Sequence, residues 1–270
     1  MKLFTCQELA KKIPCNVKIA IFKDSSVPVE LGLNIIDSGI NNIDLVTVPT
    51  GGLIIDMFIG AGCVKTLETS GVSLGEIGPA PRFTEAIKSG SIEIKDSTCP
   101  AIYAGLQAAE KGNPFMPLRG LLGSDILRYR SDIKVIDNPF NPDEQIVCLP
   151  AIKPDFSIFH APLADRQGNI YLGRQQELKL LAHASRQTLV TVEKITDIDL
   201  LGDPKTAPAT LPAFYVAGVA IAVGGAQPLN LPNSYDTDYE TIRSYAKAAK
   251  SQEGFCDWIN RRLALCKTAA

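Results

Sequence analysis

The sequence predicts an α/β fold, built on an open, mostly parallel β-sheet with helices on both faces. Two observations predict it. Strand-like and helix-like segments alternate from Val17 onward, which is typical of parallel strands joined by crossover helices. The first strand-like segment, residues 17–22 (VKIAIF), is a nearly continuous apolar run, as expected of a strand buried on both faces. Hairpin-like segments further along predict some antiparallel strands.

In the first half of the chain, strands alternate with helices that have recognisable ends. Helices are predicted where apolar residues recur at helical spacing and where a glycine such as Gly39 or a proline such as Pro81 marks an end. The predicted strands are residues 17–22, 43–49, 64–70, 91–95 and 115–120. The predicted helices are residues 27–39, 53–62, 81–90 and 97–114, the last with Ser97 or Thr98 as its cap.

The second half begins as regularly and then loosens. Strands are predicted at residues 146–150, 156–162 and 188–195, with a hairpin-like turn around Gly168 and Asn169 and a long helix at residues 174–186. From Asp197 prolines interrupt the pattern, and helices are predicted again at about 238–250 and 255–265. We therefore expect one domain over residues 1–270, with a looser, helical C-terminal extension from about residue 197.

Composition excludes several classes of function. A formal net charge of −2 provides no basic field for nucleic acid or acidic membranes, and aromatic residues make up only 7% of the chain. The seven cysteines include no C-x-x-C pair and there are two histidines, so no metal site is predicted. Neither a signal peptide nor a membrane-spanning run is visible. These features predict a cytoplasmic protein that binds neither nucleic acid nor membrane.

Glu76 is the candidate catalytic residue. It lies in residues 71–81 (GVSLGEIGPAP), just after the predicted strand 64–70, and loops beyond the carboxyl ends of parallel strands hold the working residues of such folds. Apolar neighbours such as Leu74 and Ile77 would partly desolvate the carboxylate and make it a stronger base or nucleophile. The alternative is a surface acid near the start of the next helix, where the helix dipole favours it.

Other loops supply candidate binding residues. Backbone N–H groups of Thr50, Gly51 and Gly52 would bind a ligand oxygen, or the glycines simply form a tight turn. Ser73 and Gly75 would orient a substrate beside Glu76. A second group, expected either to bind a substrate or to form structural ion pairs, is Arg119, Gly120 and Asp125.

The sequence also allows expectations for His160, for His183 and for one turn. His160 is predicted at the end of a strand, where it could belong to a site, and His183 is predicted to be packed within a helix. In residues 165–169 (DRQGN) the side chains of Asp165 and Asn169 are expected to bind local backbone in a tight turn. No glycine-rich dinucleotide motif, Walker sequence or G-x-S-x-G elbow occurs. Acid–base work therefore falls to a carboxylate.

A set of motifs in a fixed order resembles a known family. The motifs are LVTVPTGG, IGAGCVKTLETSGVSLGEIGPAPRF, SIEIKDSTCPAIYAGLQAAEKGNPFMPLRG, HAPLADRQGN and GGAQP. Together they resemble the alpha subunit of family I CoA-transferases, in particular glutaconate CoA-transferase alpha-like proteins. The resemblance covers residues 17–262, and residues 45–125 are its most specific part.

The resemblance implies a fold, partners and substrates. The fold is that of the CoA-transferases, shared with isomerases of the ribose-5-phosphate type. The partner is a beta subunit, in a heterotetramer or larger heteromer with the active site between the subunits. The substrates are an acyl-CoA and a carboxylic acid, so CoA enters as a thioester substrate and no cofactor is bound. In family transferases the beta subunit carries the glutamate that forms a covalent thioester with CoA.

Two other functions remain possible for a chain with this resemblance. In one branch, relatives that degrade steroid rings hydrolyse a carbon–carbon bond in a cyclic CoA thioester, and Glu76 matches their catalytic base. A non-catalytic acyl-CoA-binding relative is the remaining alternative. One departure bears on this choice, because family members often carry a glycine-rich loop after the first strand. Here residues 22–26 (FKDSS) contain no glycine.

Overall fold

The computed structural model describes residues 2–23 and 25–269. Its strands are β1 (Leu3–Phe4), β2 (Lys18–Phe22), β3 (Ile43–Val48), β4 (Val64–Thr69), β5 (Glu93–Asp96), β6 (Phe115–Leu118), β7 (Lys134–Asn138), β8 (Asn141–Pro150), β9 (Phe156–Asp165), β10 (Ile170–Tyr171), β11 (Gln187–Thr196), β12 (Thr210–Leu211) and β13 (Val216–Ile221). Its helices are α1 (Cys6–Ala10), α2 (Val29–Asp37), α3 (Leu53–Gly60), α4 (Pro81–Ser89), α5 (Cys99–Glu110), α6 (Ile126–Tyr129), α7 (Glu177–Ala184), α8 (Tyr239–Ala248) and α9 (Gln252–Ala269).

A mostly parallel sheet organises the molecule. Its order is β1-β13-β11-β9-β2-β3-β4-β5, and every neighbouring pair along this path is parallel. The short strands β10 and β12 add antiparallel pairing beside β9. The predicted open α/β fold is therefore confirmed.

Side-chain alternation along the strands builds a core on each face of the sheet. On β2, Ile19 and Ile21 join one buried cluster, whereas Ala20 and Phe22 join or pack against the other. Helices α1, α2, α3, α8 and α9 contribute to the first cluster, and α5 and α7 to the second. This is the period-two pattern of a sheet covered on both sides, and it explains the apolar strands.

The helix ends follow from local sequence. Thr5 and Glu8 form a capping box at α1, in which the N–H of Glu8 donates to Thr5 Oγ1 at 3.1 Å and the N–H of Thr5 donates to Glu8 Oε2 at 2.8 Å. Of the two predicted caps for α5, Thr98 is the one that accepts, from the N–H of Ala101 at 3.4 Å. None of the described helices is long and apolar enough to cross a membrane.

Two regions differ from the prediction. Residues 115–118 do form a strand, but it lies in a separate antiparallel sheet with the order β6-β8-β7. After residue 197, where only loosening and helices are predicted, β13 inserts between β1 and β11 in the main sheet. In the same region α8 and α9 bury Tyr245 and Trp258 in the first core cluster. The run that forms β13 is short and ends in Gly224-Gly225, so its pattern alone does not distinguish strand from loop.

The strand order reverses between β2 and β9. Strands β3, β4 and β5 lie on one side of this point, and β11, β13 and β1 lie on the other. At such a reversal, the chain leaves adjacent strands in opposite directions and opens a crevice beyond their carboxyl ends. The functional site is expected there.

Candidate active site

The loops that follow β2, β3 and β4 line one cleft of about 340 Å³. We call it the active-site cleft. From the residues named as candidates in the sequence, it contains Thr50, Gly52, Ser73, Gly75 and Glu76. Strands β2, β3 and β4 are parallel neighbours, so their carboxyl ends bring these loops together, although the loops lie far apart in sequence. The structure therefore gathers the predicted catalytic residue and four predicted binding residues.

Gly51 has a different role from its neighbours, because it does not line the cleft. Its N–H donates to the carbonyl oxygen of Gly71 at 2.7 Å, and its own carbonyl accepts from the N–H of Ser73 at 3.1 Å. A Cβ at Gly51 would lie 2.8 Å from Cγ2 of Val72. The glycine thus allows two loops to approach closely, and its N–H is not available to a ligand oxygen as the sequence had suggested.

Helix α3 begins at the cleft. Gly52 is its N-cap residue, with extended backbone angles (φ −129°, ψ −151°), and Leu53, Ile54 and Ile55 of its first turn also line the cleft. First-turn N–H groups have no partner within a helix, and the helix dipole adds positive potential at this end. Lys23 also lines the cleft, with its Nζ 3.4 Å from Ser73 Oγ. This wall is suited to an anionic or carbonyl oxygen.

Glu76 lies in a short 3-10 turn, Gly75–Ile77, at the rim of the cleft. Gly75 and Gly78 have positive φ angles of 63° and 115°, and the N–H of Leu74 donates to the carbonyl of Gly78 at 2.9 Å. Glu76 is therefore held in a tight turn. The predicted desolvation is wrong for this chain, because Glu76 is exposed while Leu74 is buried and Ile77 packs against the core.

A further wall comes from the chain that follows β13, up to the first residue of α8. Leu229, Asn230, Thr237 and Tyr239 all line the cleft. Asn230 forms a parallel bridge with Ser25, which follows β2, and so holds this segment against the sheet. Sequence reasoning did not find these residues, because their segment has neither strand nor helix periodicity. The only local signal was the GGAQP motif just before them.

Arg119, Gly120 and Asp125 do not line this cleft. They follow β6, which belongs to the small antiparallel sheet and not to the main sheet, so the rule for carboxyl ends does not place them at the crevice. Arg119 pairs with Glu144 on β8, and Asp125 pairs with Arg128 at 2.9 Å. The side chains of Arg119, Asp125 and Arg128 are highly exposed. Arg119 and Asp125 therefore form ion pairs, which is the alternative that the sequence left open. Their role in binding a substrate stays a prediction.

His160 lies within β9 and not at its end, because the strand continues to Asp165. It is fully buried, and its Nε2 lies 2.7 Å from Glu193 Oε1. His183 is half-buried in α7 as predicted, with Nδ1 3.1 Å from Glu110 Oε1. Among the described residues, no group of histidine, cysteine and acidic side chains could hold a metal ion.

The turn after β9 confirms a further expectation. Asp165 Oδ1 accepts from the N–H groups of Gln167, Gly168 and Asn169, each at 2.9 Å, and Asp165 Oδ2 accepts from Asn169 Nδ2 at 2.7 Å. These bonds use both carboxylate oxygens. Asp165 is therefore a structural residue of the turn and is not available as a catalytic acid or base.

The cleft combines two chemical elements. One wall offers helix N–H groups and an ammonium group, which stabilise negative charge on an oxygen. The rim offers the carboxylate of Glu76, which can exchange a proton or orient water. The cleft is open to solvent, as the exposure of Glu76 shows. Such a site can bind an acid or a carbonyl oxygen.

No protein-family model matches the chain, but curated proteins, among them the following three, are similar to it over most of their length. The chain is 31% identical to the A subunit of 3-oxoadipate CoA-transferase from Pseudomonas knackmussii, over 87% of this chain and 83% of that protein. It is 31% identical to the A subunit of glutaconate CoA-transferase from Acidaminococcus fermentans, over 76% and 70%. It is 30% identical to the cholesterol ring-cleaving hydrolase IpdA subunit of Rhodococcus jostii, over 80% and 76%.

Solved structures show the same relationship. Glutaconate coenzyme A-transferase from Acidaminococcus fermentans superposes with a TM-score of 0.90 at 26% identity, over 97% of this chain and 88% of that one. The decarboxylase AibA/AibB superposes with a TM-score of 0.86 at 25% identity, over 97% and 98%. One fold thus hosts transferases, a hydrolase and a decarboxylase, so the site must decide between activities.

Proposed function

The chain belongs to the family of CoA-transferase A subunits, and we propose that it is the A subunit of a heteromer that transfers CoA between an acyl-CoA and a carboxylic acid. The partner would be a CoA-transferase B subunit. Relatives named as subunits support this assignment. All seven cysteines are free, which fits a reducing cytoplasm.

One observation carries the proposal. Glu76, Ser73 and the N-terminus of α3 face a single cleft that is open to solvent. A carboxylate and oxyanion donors are present, but the cleft is not enclosed. The B subunit would cover it and supply a glutamate as nucleophile, as the family resemblance implies.

In this proposal the reaction is divided between the subunits. The partner glutamate attacks the thioester carbonyl and displaces CoA as a thiolate, which leaves a mixed anhydride. The thiolate then attacks the glutamyl carbonyl, so that the donor acid is released and CoA is held as a glutamyl thioester. The acceptor carboxylate reverses these two steps, leaves with CoA as its own thioester and frees the glutamate. Splitting the transfer lowers the barrier of each half. The N–H groups of Gly52 and Leu53 would stabilise the charge that develops on the carbonyl oxygen. Glu76 would orient the acceptor acid, and the partner subunit would desolvate Glu76 by covering the cleft.

The experiment uses the purified heteromer with acetyl-CoA as donor and glutaconate or 3-oxoadipate as acceptor. Formation of the acceptor's CoA thioester, dependent on both substrates, is the expected result. Release of free CoA at the same rate without any acceptor would contradict transfer. A ring-opening hydrolase would instead cleave a cyclic CoA thioester without any acceptor and leave its thioester bond intact. Binding of acyl-CoA without either reaction would indicate a non-catalytic relative.

A hydrolase is the second candidate, because one observation favours it. The loop after β2 has no glycine, and Lys23 takes its place at the cleft. Glu76 would then act as the base that opens a ring of a cyclic, steroid-type CoA thioester. The variant Glu76→Ala separates the two candidates. Transfer that survives Glu76→Ala would exclude the role as base, whereas acceptor-independent cleavage lost in Glu76→Ala would exclude the transferase.

A further inference from the structure

A partly buried hydrogen-bond network lies next to the active-site cleft. Asn230 lines the active-site cleft, and its neighbour Leu231 lines a second cleft of about 500 Å³. Glu193 and Tyr235 line this second cleft, and His160 lies buried behind them. The proposed reaction gives none of these three residues a role. They join strands β9 and β11 to the segment of residues 224–239.

The register of the parallel strands places His160 and Glu193 together. His160 on β9 is the direct partner of Thr191 on β11, and Glu193 follows on the same face of β11. Nδ1 of His160 lies 2.8 Å from Thr191 Oγ1, and Nε2 lies 2.7 Å from Glu193 Oε1. Because a carboxylate only accepts hydrogen bonds, Nε2 carries a proton and donates it to Glu193. Two bonds thus fix the imidazole ring.

Glu193 also accepts from both ends of the segment that follows β13. The N–H of Gly224 donates to Glu193 Oε2 at 2.9 Å and to Oε1 at 3.1 Å. The hydroxyl of Tyr235 donates to Oε1 at 2.9 Å. That hydroxyl accepts in turn from the N–H of Ala226 at 3.1 Å. One carboxylate therefore closes a loop of the chain onto the sheet.

This segment is the one that forms a wall of the active-site cleft. Leu229 and Asn230 lie between the two points held by Glu193, and Thr237 and Tyr239 follow directly. We infer that Glu193 is a positioning residue for the reaction, and that its network with His160 and Tyr235, which we call the Glu193 latch, sets this wall against the substrate. The inference rests on the proposed function of the cleft.

The electrostatics agree with a Glu193 carboxylate that is charged at neutral pH. Burial alone would raise the pKa of Glu193, but hydrogen bonds from His160, Gly224 and Tyr235 outweigh burial and hold the pKa below its ordinary value. Burial and the carboxylate of Glu193 raise the pKa of Tyr235, which keeps its hydroxyl as a donor. Glu30 of α2 also faces this group, and burial raises its pKa.

The test uses Tyr235→Phe, which removes one hydroxyl and leaves the ring. Thr188→Val is the matched control, because it removes one buried hydroxyl, bonded to Ser157 at 3.0 Å, from the strand that carries Glu193. Backbone hydrogen exchange of residues 224–239 and steady-state kinetics are measured on the heteromer. Glu193→Gln is the second variant and removes the charge at similar volume.

In Tyr235→Phe, exchange in residues 224–239 should accelerate about tenfold and KM for the acyl substrate should rise about tenfold, as for one hydrogen bond to a charged group, with kcat changing much less. Thr188→Val should change neither. The inference would be overturned if exchange were unchanged in both latch variants. It would also be overturned if exchange were faster but KM unchanged, or if the control Thr188→Val had an equal effect. An inactive wild-type heteromer would contradict the proposed function, and exchange would still decide whether Glu193 holds the segment.

Discussion

The N–H of Gly51 donates to the carbonyl of Gly71 at 2.7 Å and joins the loop after β3 to the loop after β4. The return bond, from the N–H of Ser73 to the carbonyl of Gly51 at 3.1 Å, completes a short ladder between the loops. These two bonds set the position of Ser73, and through the following turn that of Glu76, relative to the start of α3. The geometry of the cleft therefore depends on a glycine that does not line it.

The first prediction compares two adjacent glycines. Gly51→Ala should destabilise the fold by about 1–3 kcal/mol, because the new methyl group would lie 2.8 Å from Val72 in a packed contact. Gly52→Ala should cost less than about 1 kcal/mol, because its nearest contact is Cγ of Lys23 at 3.5 Å and its φ is extended. Urea denaturation of both variants measures this. Equal losses of stability in the two variants would show that the close approach to Val72 is not the reason for a glycine at position 51.

The turn that carries Glu76 gives a second prediction. A Cβ at Gly75 or Gly78 would meet no atom within 4 Å, so any cost must come from the backbone. Gly75 has φ 63°, in the left-handed region, and Ala there should cost about 1 kcal/mol. Gly78 has φ 115° and ψ −153°, and Ala there should cost roughly 2–3 kcal/mol. The melting temperature of Gly78→Ala should be lower than that of Gly75→Ala. The reverse order would contradict this account of the turn.

A third prediction concerns how the small sheet is joined to the main one. Arg130 is buried and donates to Glu68 on β4 at 2.7 Å and to Asp132 at 2.8 and 2.9 Å. Arg130→Met should destabilise the protein by about 3–5 kcal/mol, because it leaves Glu68 as an unpaired buried charge. Arg128→Met breaks an exposed pair and should cost less than about 0.5 kcal/mol. Denaturant unfolding compares the two, and similar losses would show that burial does not decide the cost.

The Glu193 latch predicts a specific pH dependence of stability. Because the folded pKa of Glu193 lies below its ordinary value, the charged carboxylate stabilises the fold at pH values above the unfolded pKa, about 4.3. That contribution is lost as pH falls through the folded pKa. Near neutral pH the free energy of unfolding of the wild type should exceed that of Glu193→Gln by roughly 2 kcal/mol. The difference should shrink only below about pH 4.3, and a difference that changes between pH 6 and 8 would point to another group.

Much of the main sheet could be predicted from the sequence. Residues 17–22, 43–49 and 64–70 are predictable as strands, the first from its apolar run and the last from its alternating, β-branched pattern. The carboxyl ends of these strands then locate the loops with Thr50 and Glu76. The strand β6 was also predicted, but nothing local distinguishes a strand of the main sheet from one of a small antiparallel sheet. For that reason the sequence alone cannot separate substrate binding from structural ion pairs for Arg119 and Asp125.

The remaining features depend on contacts between distant residues. His160, Glu193 and Tyr235 meet because of the register between β9 and β11, which no single segment encodes. The wall formed by residues 229–239 has no periodicity to detect. Exposure of Glu76 was also out of reach, since it depends on which side of a 3-10 turn faces the core. Local pattern predicts elements, while the assembly of a site requires tertiary structure.

The most direct test of the central claim, that Glu76 works in this cleft, is the kcat/KM for CoA transfer by the heteromer with Glu76→Gln. Glu85→Gln is the matched control, because Glu85 is an exposed glutamate on α4 outside the cleft. Glu76→Gln should lower kcat/KM by about 100-fold at unchanged thermal stability, because the acid is no longer oriented for attack, and Glu85→Gln should leave both unchanged. A Glu76→Gln heteromer with the wild-type kcat/KM would contradict the account.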